Sequence, residues 1–198
     1  MSEKRIRAAF EAPRKRLSEA LRSAGDLAER GSQTVRDAVS AAIQDPRAVG
    51  IELWDRISAC VDATWSVLRE AGGQARDRVR GAMLGAIHGA TQEHAWATET
   101  VEKVSAALVR HAIKDGEDVF PVVQEIMESA VDAAREIGFS AEEAAAAAAR
   151  GALRAGGEHG SRTRRAVRDA IPRSVRDVRV PETTLAASSV GEEEGRAS

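Results

Sequence analysis

Tyrosine is absent, and three tryptophans and three phenylalanines bring the aromatic share to only 3%. A core without large rings must be built from short aliphatic side chains, which bury little area each and need closely spaced elements. The single cysteine, Cys60, excludes an internal disulfide and suits a reducing compartment. No uncharged run approaches the roughly 18 residues that a spanning helix needs. The longest run near the middle is Gly81–Gln92, closed by Arg80 and Glu93. Met1–Ala12 is charged throughout, so a secretory leader is not expected and a cytoplasmic protein is. Acidic and basic residues nearly balance, 31 against 29, leaving a formal charge of −2. No overall field therefore draws the chain to nucleic acid or membrane. Phosphate loops, nucleophile elbows and dinucleotide fingerprints are missing from the sequence.

What the sequence has instead is alanine and helical periodicity. Residues 3–30 read as one or two helices, with Pro13 as a break or a start. A helix near 34–44 stops at Asp45-Pro46, which also suits the start of the next. That next helix carries Ile51, Trp54, Ile57, Val61, Trp65 and Leu68 in one stripe and stops at Gly72-Gly73. A third follows near 74–90. Further helices are expected near 92–114, 118–137 (starting at Pro121 if the proline marks its first turn) and from Ser140 to about Ala155. Ser140 and Glu143 form a capping box, and Gly156-Gly157 reads as the end of the last helix.

These helices fall into a repeat. Shifted by 70 residues, Val39–Met83 lies over Val109–Leu153 without a gap. Thirteen of the 45 positions are identical, against roughly 3–4 expected by chance at this alanine content. The matches include Asp45/Asp115, Asp62/Asp132, Arg80/Arg150 and Gly81/Gly151. The expected fold is all-α, with six to eight helices in two tandem three-helix units of about 70 residues each. The organisation is a basic amphipathic segment 1–31, a duplicated core 32–160 (units about 34–90 and 92–156), an Arg-rich helical segment 161–180 and a disordered tail 181–198. A-V-R-D-A-I at 166–171 echoes T-V-R-D-A-V at 34–39, as if a third unit began there.

Four features bear on function. Gly81, Gly85 and Gly89 form a glycine zipper on one helix face, echoed by Ala147, Gly151 and Ala155. Such faces admit a close helix crossing, within the chain or with a second chain. Ser161–Val180 holds seven arginines against two aspartates, and Arg162, Arg164, Arg165 and Arg168 are candidate contacts for an anionic partner. No aromatic follows Phe139 to stack on bases, so a solvated helix is the plainer reading. Ile6, Phe10, Leu17, Leu21 and Leu27 among basic residues suit a surface-lying helix or a cover for the core. Reactive chemistry is sparse. His88 and His94 point about 240° apart on a helix and cannot share a metal. Cys60 has no basic neighbour to activate it. Asp62, Asp132, Arg80 and Arg150 suit inter-helix ion pairs. No catalytic residue, cofactor or metal is expected.

The stretches V-D-A-A-R-E-I-G-F-S-A-E-E-A-A-A-A-A-A-R-G-A-L (131–153) and V-R-G-A-M-L-G-A-I (79–87) resemble uncharacterised bacterial Ala/Gly-rich helical repeat proteins. In size and composition the chain also resembles phasins, which coat polyester storage granules. Neither resemblance carries functional residues with it. The expected role is a non-catalytic structural or protein-interaction scaffold that self-associates through its small-residue faces. A phasin-like binder of lipid or polymer surfaces is the alternative, and a weak non-specific nucleic-acid binder a second one.

Overall fold

Polar caps and left-handed glycines cut this chain into helices. The computed structural model describes residues 33, 36–37, 51–70, 72, 74–92, 97–181 and 184. Within them α1 spans Ile51–Glu70, α2 Ala75–Gln92, α3 Ala97–Asp115, α4 Val119–Glu136, α5 Ala141–Glu158 and α6 Ser161–Ala170. Two short strands follow, β1 (Ser174–Val175) and β2 (Val178–Arg179), paired antiparallel. The fold is thus all-α with one small hairpin. The basic segment 1–31, the Asp45-Pro46 stop and nearly all of the tail lie outside the described residues.

The stops act by backbone conformation. Gly72, Gly116 and Gly138 follow α1, α3 and α4 with φ of +81°, +72° and +71°, where a Cβ would be strained. Two starts are side-chain caps. Asp118 accepts the Phe120 N–H at 3.0 Å, and Ser140 accepts the Glu143 N–H at 3.2 Å. The Asp118 cap places the start of α4 at Val119 rather than Pro121. Pro121 then sits in the first turn, where its missing N–H would have had no partner in the helix.

Two further expectations need correcting. Gly156-Gly157 does not end α5, which continues to Glu158. Gly156 is there because α6 crosses it: a Cβ would lie 3.0 Å from Val167 Cγ2 and 3.2 Å from the Arg164 Cα. The Arg-rich helix does not fill 161–180 but stops at Ala170. Pro172 pushes Ile171 to extended backbone (ψ 117°), and a two-residue turn follows. Arg176 and Asp177 take φ of 49° and 67° in that turn, the primed geometry that matches the strands' twist.

Packing follows the apolar stripes. α3 lies along α5 and α2 along α4; α1 covers α2 and α3, and α6 lies on α5 and α4. Ile57, Val61, Trp65 and Leu68 of α1 are buried, with Met83, Ile87, Leu108, Ile126 and Met127. Around them sit Ala144, Ala145, Ala147, Ala148, Ala149, Ala152 and Ala155 of α5. With so few large side chains, helix backbones must approach closely to exclude water. Gly151 is the tightest point: a Cβ there would collide with the Glu102 carbonyl oxygen of α3 and lie 3.0 Å from Ser105 Cβ.

Ion pairs join the same helices. Arg150 and Arg154 reach Glu102 at 3.1 and 2.7 Å, and Arg110 grips Glu158 at 2.6 and 2.9 Å. Arg80 lies 3.8 Å from both Glu125 and Asp132 of α4, and Asp62 meets His111 at 2.7 Å. Arg80 and Arg150 are equivalent by the 70-residue offset, yet their partners are not.

Candidate anionic-partner surface

The small-residue faces are interior. Gly81, Gly85 and Gly89 of α2 are buried, as are Ala147, Gly151 and Ala155 of α5. α2 packs chiefly on α4 and α5 chiefly on α3, so the two faces do not serve each other. At Gly151 the α5 face makes a close crossing with α3 inside the chain. A second copy would find the α5 face already filled by Glu102 and Ser105.

The densest polar chemistry is a knot that sequence reasoning missed. The Trp65 indole N–H donates to Asp115 at 2.8 Å, and Arg69 bonds the other carboxylate oxygen at 2.6 Å. The His111 ring stacks on Trp65 at 5.4 Å, and the Arg78 guanidinium lies 4.5 Å over the indole. Arg78 also pairs with Glu117. Donation from Trp65 holds the Asp115 carboxyl below its ordinary value; Arg69 adds to this, and burial opposes it. Each charged group here has a partner within the chain, so the knot fastens α1, α2 and α3 rather than facing a ligand. Its members come from residues some 50 positions apart, as with Trp65 and Asp115. The repeat match of Asp115 to Asp45 was the only sequence signal.

His88 is set by a similar logic. The Arg36 guanidinium, which only donates, approaches Nδ1 at 2.6 Å, so that nitrogen accepts. Nε2 faces Glu136 at 3.0 Å. Burial, then Arg36, lowers the His88 pKa below its ordinary 6.5, with Glu136 opposing. The unfolded chain thus takes the proton more readily than the folded one. This contribution to stability is present above about pH 6.5 and fades as the pH falls below it. Urea titrations at pH 7.5 and 5.5 are expected to show a smaller loss on acidification for His88→Gln than for the unaltered chain. Equal losses would refute the assignment.

Arginine pairing divides the surface. In α1 to α5, Arg69, Arg76, Arg78, Arg80, Arg110, Arg150 and Arg154 all meet carboxylates. Arg135 donates to the Arg176 carbonyl at 2.6 Å. At the hairpin tip Arg176 reaches Glu128 and Asp132, both at 3.3 Å. Among the described residues no acidic partner meets Arg162, Arg164, Arg165, Arg173 or Arg179, and Arg168 has only Asp169 at 4.0 Å. Burial of Val167, Ala170 and Ile171 fixes the inner face of this region. It leaves Arg162, Arg165, Arg173 and Arg179 exposed, with Arg164 and Arg168 half-buried.

The chain matches no family model, no curated protein and no solved structure.

The arginines stand where a helix least favours them. Gly160 caps α6 without a side chain, and no acidic residue lies in its first turn. Arg162, Arg164 and Arg165 therefore face the positive end of the helix dipole. Arg162 and Arg165 are three apart, and Arg164 and Arg168 four apart, so like charges adjoin along the helix. A cleft of about 330 Å³ lies beside this region, between α4 and the hairpin, lined by Gln124, Glu128, Pro172, Ser174, Val175 and Arg176. Among the described residues no group of three or more His, Cys, Asp or Glu is placed to hold a metal ion. No described helix is long and apolar enough to cross a membrane.

Proposed function

We propose that this is a non-catalytic interaction protein whose partner surface is the arginine face of α6 and the hairpin. Its partner is a short acidic protein segment. One observation carries the reading: among the described residues seven arginines of α1, α2, α3 and α5 meet carboxylates, whereas Arg162, Arg164, Arg165, Arg173 and Arg179 meet none. Guanidinium groups take carboxylates in paired, directional bonds, as Arg110 and Glu158 do within the chain.

The size of the face supports a short partner. Ten helical residues span about 15 Å. Asp169 at the end of the helix, and Asp177 and Glu128 beyond it, would repel a long polyanion such as a nucleic-acid duplex. No aromatic on the face stacks bases. Phe120, 47% exposed, is the only large exposed hydrophobic among the described residues, which gives a phasin-like reading little apolar surface to use there. The basic N-terminal helices invoked for that reading lie outside the described residues. The 70-residue repeat favours a scaffold built from a duplicated module. Self-association would use a surface other than the buried glycine faces. The lone cysteine suits a cytoplasmic setting.

Fluorescence anisotropy tests this with labelled deca-glutamate, a 20-base-pair DNA duplex and anionic vesicles, each at 50 mM and 500 mM NaCl. Deca-glutamate is expected to bind at low salt. Its affinity should drop by about tenfold or more at high salt, since exposed pairs are screened. The same drop is expected in Arg162→Ser/Arg165→Ser at low salt. Tighter binding to the duplex or the vesicles than to deca-glutamate would overturn the assignment, as would binding indifferent to salt.

A further inference from the structure

We infer that the glutamate run Glu192–Glu194 of this same chain is an internal ligand of the arginine face, competing there with the acidic partner. The inference rests on the reading of that face given above and adds its regulation. The charges are complementary: 161–180 holds seven arginines against two aspartates, while 182–198 holds four glutamates against Arg196 alone. The position is also right. Val180 is buried and its N–H bonds the Arg173 carbonyl at 3.0 Å, so the chain leaves the fold beside the C-terminal end of α6. The Thr184 N–H then bonds the Pro181 carbonyl at 3.0 Å.

The distance is easily covered. About eleven residues separate Pro181 from Glu192, and even partly extended they outreach the roughly 15 Å length of α6. A tethered run meets the face at an effective concentration near the millimolar range, so weak, exposed pairs suffice to hold it. A separate acidic segment must displace it, and its apparent affinity falls by the fraction of the face left open. Salt loosens both contacts, because they share one chemistry.

The test compares the full chain with its Glu192→Gln/Glu193→Gln/Glu194→Gln variant at 50 mM NaCl. Labelled deca-glutamate is the probe, and phenylglyoxal modification of Arg162 and Arg165, mapped by mass spectrometry, is the second readout. The variant is expected to bind the probe about tenfold more tightly, as for a face about nine-tenths occupied, and to be modified several-fold faster. Equal affinity with equal modification rates overturns the internal ligand while leaving the partner surface standing. Faster modification without probe binding by either chain keeps the internal ligand and removes the partner reading. Neither binding nor a difference in modification removes both.

Discussion

Replacing Arg162 and Arg164 together by glutamate is expected to stabilise the protein while abolishing its binding of acidic segments. The substitutions act on three unfavourable terms at once. Arg162→Glu puts a carboxylate near the uncapped start of α6, where a negative charge meets free N–H groups; such placements are worth about 0.3–1 kcal/mol. The same change turns a like-charge pair with Arg165 into an attractive one, and Arg164→Glu does so with Arg168. Each such reversal is worth a few tenths of a kcal/mol, about 0.2–0.5 for the pair lost and the same for the pair gained. Packing is little changed, because a glutamate keeps the Cβ and Cγ of Arg164, and its carboxyl carbon takes the place of the Cδ methylene over Gly157. The sum is about 1–3 kcal/mol, or a rise of roughly 2–12 °C in melting temperature for a chain of this size. Thermal unfolding at 50 mM NaCl checks it, and the gain should shrink at 500 mM as the repulsion is screened. A surface kept against its own stability is one retained for use, the usual trade between activity and stability. A double variant that melts at or below the original temperature at low salt would remove that argument.

Much of the fold was legible because it is decided locally. The stripe through Ile57, Val61, Trp65 and Leu68, the Ser140 cap and the glycine after α1 each act within a few residues. What was not legible depends on helices distant in sequence. The spacing of Ala147, Gly151 and Ala155 says that something approaches closely, but it does not say whether that is a second chain or α3. Gly156-Gly157 has the composition of a stop, and only the crossing of α6 shows why a helix tolerates it. The hairpin at 174–179 was hidden because Arg176-Asp177 lacks the glycine or asparagine that usually announces a primed turn. The arginine cluster was plain as a cluster. Its distinction was not, since it lies in the contrast with Arg110, Arg150 and Arg154, whose partners sit on another helix. The repeat was likewise visible as identities, while the partners of Arg80 and Arg150 answer to the final packing.

Gly151→Ala should cost about 2–3 kcal/mol, although alanine is the better helix former. Propensity alone would favour the change by up to about 1 kcal/mol in a helix interior. Opposing it, the new Cβ meets the Glu102 carbonyl oxygen, with the carbonyl carbon at 2.9 Å and Ser105 Cβ at 3.0 Å. Two of these atoms are backbone, so no rotamer change relieves the contact and α3 must move as a body. Arg150 and Arg154 hold Glu102, and Arg110 holds Glu158, so the same shift strains three ion pairs. Overpacking a site of this kind usually costs about 1–3 kcal/mol and more where the backbone is fixed. Gly157→Ala six residues on supplies the control. Its Cβ would meet only the Arg164 Cδ at 3.6 Å, an ordinary contact, so propensity wins and stability rises by about 0.5 kcal/mol. Denaturant titration of the two variants beside the original chain gives the comparison. Opposite signs are expected from the same chemical change on the same helix. A Gly151→Ala chain as stable as Gly157→Ala would mean that α3 and α5 do not approach as closely as the fold requires. The thin alanine core would then lack the contact that compensates for its missing large side chains.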